Sequence, residues 1–169
     1  MTNIYELLSD IKENIADPTK GLPEEIFLFA TEITPMVNVD LLIKDDKGRI
    51  LLSWRDDEFY GKGWHVPGGI IRLKETFEDR IQKTAESEIG VPVVYEENPL
   101  KVVPIICPEM KTRGHFITFI YSCKLPDGFF IENHGKKRND AGYLEWHETF
   151  PEDMLKVHNF YKKYFNLEK

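Results

Sequence analysis

Two carboxylates, a glycine turn and one arginine carry the chemistry that this sequence could do. Gly68-Gly69 is followed six positions later by Glu75, and a helix-length run from Thr76 then closes on Glu88-Ile89-Gly90-Val91. Trp64-His65-Val66-Pro67 leads into the turn. A divalent cation takes hard oxygen ligands. Mg2+ in particular binds one or two carboxylates and fills its octahedron with waters and substrate phosphates. Glu88 with a backbone carbonyl from the Gly68-Gly69 turn could supply the protein's share of that shell. Glycine suits the turn because a residue without Cβ lets the backbone come close to a metal or a phosphate. Taken alone, the glutamates would equally describe a solvent-exposed acidic helix behind an ordinary turn.

These groups need elements to hold them. Phe77, Ile81 and Ala85 recur four apart and predict a helix over 76–89 that packs on a sheet, with Gly90 as its C′ residue. Met36–Lys44 reads as a strand, Asp45-Asp46-Lys47-Gly48 as a turn, and Arg49–Arg55 as the hairpin partner, with Asp56–Gly63 a polar loop. Further strands are expected near 91–96, 100–107 and 114–124, then a turn-rich polar stretch from Pro126 to Ala141 containing Lys136-Lys137-Arg138. Tyr143–Trp146 is a short strand and Pro151–Phe165 a last helix with proline at its start. At the N-terminus, Ile4, Leu7, Leu8, Ile11 and Ile15 predict an amphipathic helix over 3–16, broken by Asp17–Pro23. Its apolar stripe would serve as a homodimer surface or as a cover over the sheet. The irregular alternation of strands and helices indicates an α+β or α/β sandwich with a mixed sheet.

Bulk properties narrow the function classes. The 169 residues suit one compact domain, and 41% hydrophobic with 12% aromatic residues argues against disorder. No apolar run approaches the ~18 residues of a membrane span, and the polar N-terminus does not read as a secretory signal, so no membrane partner is expected. Cys107 and Cys123 are the only cysteines and suit two reduced thiols in a cytoplasmic protein. Acidic residues outnumber basic ones 29 to 22, a field that repels a polyphosphate backbone and argues against nucleic acid.

Gly69, Glu75, Ala85, Glu88, Gly90 and Val91 fall on positions of a known pattern. The segment resembles the Nudix box, G-x5-E-x7-R-E-U-x-E-E-x-G-U with U a bulky apolar residue. Lys83 stands where the family has Arg, Thr84 where it has Glu, and Ser87 where it has the first Glu of the pair. Thr34–Leu41, Gly48–Arg55 and the Glu75-Thr76 pair look like the GDP-mannose mannosyl hydrolase branch, which also keeps only the last glutamate of the box helix.

The resemblance implies an α+β fold of the Nudix kind, an α/β/α sandwich with a mixed sheet and a box loop–helix at 68–90. A Nudix domain would occupy 33–169, behind an N-terminal helical extension at 1–32. It implies a Mg2+- or Mn2+-dependent hydrolase of a nucleoside diphosphate sugar, water replacing the nucleotide at the sugar's anomeric carbon. GDP-mannose or GDP-glucose is the first substrate to try. Attack at phosphorus, on a substrate such as ADP-ribose, is a second reading, and a nucleotide-sugar-binding module without turnover is a third. By position, Gly68 and Glu88 would bind the metal, with Asp140 a further ligand. Arg55 would neutralise the leaving diphosphate, a task its planar fork suits. Asp40 would lie near the sugar or nucleotide and His115 at the substrate. Glu75 would brace the loop–helix unit with Lys83, alongside Gly69 and Gly90. The branch's general base is a histidine in the pattern N-E-H-x-x-Y-x-W, and here Asn139-Asp140-Ala141-Gly142-Tyr143-Leu144-Glu145-Trp146 puts Ala141 in its place. His134, in the same loop, is the first candidate to replace it. His65 reads as a packing substitution. Ile70 stands where the branch carries Arg, leaving Arg72, Lys74 or the basic cluster to compensate.

Overall fold

The computed structural model describes residues 3–165. Helix α1 (Ile4–Glu13) starts on a capping box of Asn3 and Glu6, and none of its residues is buried. Its apolar stripe is therefore open rather than laid over the sheet. Helix α2 (Glu24–Ile33) follows, with Glu24 and Glu25 in a first turn whose free N–H groups favour negative charge. Nothing in the sequence pattern had marked α2.

Among the described residues, eight strands form two sheets. β1 (Met36–Ile43) lies between β4 (Gly68–Ile70), antiparallel, and β7 (His115–Lys124), parallel. The short β5 (Val94–Tyr95) and β6 (Lys101–Ile106) both pair antiparallel with β7. The second sheet has β2 (Ile50–Asp57) between β3 (Gly61–His65) and β8 (Leu144–His147), all antiparallel. The mixed sheet and the α+β class are as expected, but two pairings are not. β1 and β2 share only one isolated bridge, Lys44 to Ile50, while β1 pairs with β4 over Asn38–Asp40 and with β7 along its length. The hairpin partner of β2 is instead β3, which had read as polar loop.

Helix α3 (Phe77–Glu88) carries the box. The Thr76 hydroxyl accepts the Asp79 N–H at 3.0 Å while the Asp79 carboxylate accepts the Thr76 N–H at 3.1 Å, satisfying donors that the first turn leaves free. Gly90, at φ 88°, ends it as anticipated. Ile81 and Ala85 pack with Val39, Leu41 and Ile43 of β1, whereas Leu42, on the other face, joins Trp54, Trp64 and Tyr161. A strand buried on both faces is a rigid base for whatever hangs from its polar positions.

The expected helix over Pro151–Phe165 is a 3-10 turn (Lys156–Tyr161) followed by the short α4 (Lys162–Phe165). The tighter winding eclipses residues three apart, which sets His158 and Tyr161 on one inward side. Both are buried. No helix among the described residues is long and apolar enough to cross a membrane.

Candidate functional site

Register places the first two polar groups. Asp40 lies opposite Gly68 across the β1–β4 ladder. Leu41 donates its N–H to the Pro67 carbonyl at 2.8 Å and Ile71 to the Val37 carbonyl at 3.0 Å, so the alternation makes Asp40–Gly68 a pair without ladder bonds. The Gly68 N–H and carbonyl therefore both face off the ladder, on the side of α3. There the N–H meets Glu88 Oε1 at 3.4 Å. The glycines are needed for closeness rather than for a left-handed turn. A Cβ on Gly68 would strike Asp40 Oδ1 and the Val39 carbonyl, and one on Gly69 would strike Thr84 Oγ1.

Asp40 is 2% exposed. Its Oδ2 accepts the Tyr161 hydroxyl and its Oδ1 the Asn38 amide at 2.6 Å. Burial nevertheless pushes its carboxyl up to about 7, the two hydrogen bonds pulling back, with Glu88 adding to the rise and Arg55 opposing it. Glu88 is 3.4 Å from His65 Nε2 and has no Lys or Arg partner among the described residues. Arg55 sits 3.6 Å from Asp57 and over the Tyr60 ring.

Asp40, Arg55, His65 and Gly68 line one cavity of about 610 Å3, a size that suits a small ligand. Glu88 is not itself in the wall but touches two residues that are. Arg80, Thr118 and His158 also line it, as do Pro18, Gly21, Leu22 and Phe27 from before β1.

Glu75 has a different setting. Its carboxylate accepts Arg80 Nε at 2.9 Å and Nη2 at 2.6 Å, Lys83 Nζ at 3.0 Å and the Arg72 N–H at 2.8 Å. Burial would raise its carboxyl, but the Arg80, Arg72 and Lys83 hydrogen bonds outweigh it and hold the group down at about 2. Lys83 is thus a partner, as anticipated, but Arg80 is the buried one: its side chain is 10% exposed against 55% for Lys83.

Three anticipated site residues are not brought to the cavity. His134 is 79% exposed on its loop, 3.8 Å from Glu132. Asp140 spends its carboxylate on the Lys137 N–H at 2.7 Å, closing a local turn. His115 has the pleat parity of Phe119, which stacks on Phe77 of α3, while Phe116 and Thr118, of the other parity, line the cavity. Two histidines were missed instead. His65 is 4% exposed, with neither ring nitrogen hydrogen-bonded. His158 accepts the Val66 N–H at Nδ1, at 3.2 Å, and burial drives its pKa well below the usual value. It is therefore a neutral ring with its proton on Nε2. The β2–β3 register, Ser53 to His65 and Arg55 to Gly63, would have marked His65 as sharing Arg55's side, had β3 been recognised.

The donor set fits a divalent cation of the Mg2+ kind sparsely. Glu88 supplies a carboxylate free of a Lys or Arg, and Gly68 a carbonyl off the ladder. Among the described residues no cluster of three or more acidic, histidine or cysteine side chains could hold a metal unaided, so water and substrate oxygens would complete the shell.

A family model described as "NUDIX domain" matches residues 34–166. A curated relative, "Low-salt glycan biosynthesis protein Agl8" of Haloferax volcanii, is 33% identical over 89 residues, which is 53% of this chain and 56% of that protein. The chain thus matches little more than half the length of that relative. Among solved structures, a MutT NUDIX hydrolase from Burkholderia pseudomallei superposes with a TM-score of 0.60 at 23% identity, covering 77% of this chain and 97% of that one. A UDP-X diphosphatase gives 0.56 at 23% identity, covering 95% and 74%.

Proposed function

Because the chain belongs to the Nudix family, we propose that it is a divalent-metal-dependent hydrolase of a nucleoside diphosphate sugar, acting at the sugar carbon to release a nucleoside diphosphate and the free sugar. The carrying observation is the convergence on Gly68 of Asp40 from one side and Glu88 from the other, with Asp40, Gly68 and Arg55 in one cavity wall and Glu88 directly behind it. The Agl8 relative, named for glycan biosynthesis, supports a nucleotide sugar as the substrate class. GDP-mannose is the first to test.

In this reading Glu88 and the Gly68 carbonyl hold Mg2+ or Mn2+, which would offset negative charge on the departing diphosphate. Arg55 is only loosely tied to Asp57, so its fork is free for phosphate oxygens. Asp40 faces the sugar or nucleotide and is itself held by Tyr161 and Asn38. The single box carboxylate at this end supports carbon attack over phosphorus attack, because the carbon-attacking branch that the sequence resembles likewise keeps only the last glutamate of the box helix.

Product analysis on a panel of nucleotide sugars is the test. Nucleoside diphosphate plus free sugar is the expected result. Nucleoside monophosphate plus sugar phosphate would establish phosphorus attack instead, and tight binding without products would make the chain a sensor, the outcome that Ala141 at the base position favours.

A further inference from the structure

The cavity has a second end that the hydrolytic groups do not use. Met36, at the start of β1, stands opposite Phe116 of β7, which stands opposite Ile105 of β6, and all three line the wall. That rung is four residues along β1 from Asp40, or about 13 Å at the rise of a strand. The distance suits a nucleoside diphosphate rather than a lone phosphate.

Arg113 lies at this end, just before β7, and its environment is unusual. Its guanidinium carbon stands 4.7 Å from the centre of Phe59 and 5.7 Å from those of Phe27 and Tyr60. Among the described residues it has no carboxylate partner, and its buried Nε donates to nothing. Its backbone is held at φ 55°, a conformation that costs a non-glycine residue energy. The hold is two-sided: the Arg113 N–H donates to Thr31 Oγ1 at 2.9 Å and its carbonyl accepts the Tyr60 hydroxyl at 2.8 Å. Thr31 belongs to α2, and it is the one residue of that helix to be buried. At its other end the segment before β1 comes near the box loop, where a Cβ on Gly21 would stand 3.7 Å from Arg72 Nε. Residues 17–33 thus close the cavity between the box loop and Arg113.

We propose that this end is a nucleobase subsite, in which Arg113 reads guanine through its N–H edge and the segment 17–33 forms the wall that makes the pocket selective. Rings crowd around the guanidinium, which leaves its donor edge as the part free to recognise a ligand. An arginine edge matches two adjacent acceptors, such as guanine O6 and N7, whereas adenine presents an acceptor beside a donor. Apolar Leu22, Phe27 and Met36 suit a planar base better than a second phosphate, and Arg55 already serves the phosphates. The inference rests on the reading above only in taking the ligand to be a nucleoside diphosphate.

Titration calorimetry of the full chain with GDP, UDP and 7-deaza-GDP tests it without requiring turnover. GDP is expected to bind at least about tenfold more tightly than UDP or the 7-deaza analogue, which lacks the N7 acceptor. R113Q and R113K should both lose about ten- to hundredfold for GDP and little for UDP, because lysine keeps the charge but not the edge. T31V, which frees the Arg113 backbone while leaving its side chain, should shift GDP binding the same way by less. Should the Arg113 variants fail to fold, T31V and the 7-deaza comparison decide. Equal losses for GDP and UDP would overturn the proposal in favour of a phosphate contact. Equal wild-type affinity for all three nucleotides would overturn it outright. A protein that hydrolyses no nucleotide sugar yet prefers GDP loses the hydrolase reading and keeps the subsite.

Discussion

The box holds two glutamates in opposite electrostatic states. Glu75 is surrounded by donors: Arg80 in a fork, Lys83 and the Arg72 N–H all reach it. Glu88, thirteen residues on, meets only the Gly68 N–H and the ring of His65, and its other carboxylate neighbour, Asp40, is buried deep enough to keep its proton near neutrality. A saturated carboxylate has nothing left to offer a ligand. An unsaturated carboxylate beside a free carbonyl, as Glu88 is, keeps its demand for positive charge unmet. One motif therefore supplies both a brace and a binding position, and the division follows from where the cations stand, not from the glutamates themselves.

The largest effect should come from breaking the brace. Glu75→Gln leaves Arg80, nearly buried, without its counter-charge, and removing one member of a buried pair costs roughly 3–5 kcal/mol of stability. Urea denaturation should show that loss, while the protein that remains folded keeps its substrate KM. A variant of unchanged midpoint would mean that Glu75 braces nothing.

Glu88→Gln should do the reverse. Activity is expected to fall by at least about 100-fold, no less than the loss of an outer-shell group costs a metal site. Stability should stay within about 1 kcal/mol, since the carboxylate is partly exposed and has no Lys or Arg partner. Wild-type turnover with Mg2+ would remove Glu88 from the metal position.

The two regions should also answer pH in opposite senses. Glu75 is held at about 2, below its unfolded value of 4.5, so its contribution is present above that value and is lost as pH falls through the interval. Asp40 is raised to about 7 from 3.8, so its contribution is complete at acid pH and is lost as pH rises through about 7. Asp40→Asn keeps an acceptor for Tyr161 and removes the titration. Denaturation midpoints measured between pH 4 and 8 should fall with rising pH in the wild type relative to this variant. Parallel curves would show that Asp40 is ionised throughout.

The sequence made one side of this contrast far more legible than the other. Glycine spacing, the inward face of α3 and Gly90 are local features, and each appeared where the pattern placed it. Arg80 was hidden because it sits in the variable run of the box, where no position rule applies and only helical geometry brings it back to Glu75. His65 was hidden because β3 is short and glycine-containing, so a strand read as loop and the shared side with Arg55 went unseen. His115 failed by one residue of pleat, which turns a side chain to the other face of the sheet. α2 and the 3-10 turn were illegible because long-range contacts decide them: Thr31 on Arg113, and His158 on Val66.

The smallest expected effect bears on how the chain manages without the branch's histidine. The loop that carries Ala141 passes beside β2, with Gly142 donating to the Trp54 carbonyl at 2.8 Å and Tyr143 accepting from the Trp54 N–H at 2.8 Å. Trp54 directly precedes Arg55, so a histidine at 141 would stand close to the Arg55 end of the cavity. His134 is seven residues earlier, at φ 46° and turned to solvent beside Glu132. His134→Ala should therefore leave the rate unchanged and stability within about 0.5 kcal/mol. Ala141→His should raise the rate if a base is what the site lacks, by up to the ~10²–10⁴ that a positioned base supplies. A loss of rate in His134→Ala would mean that the loop folds inward when substrate binds. Silence in both variants, with nucleotide sugars still consumed, would leave proton transfer to the groups already in the wall, among which Asp40 and His65 lie nearest Glu88.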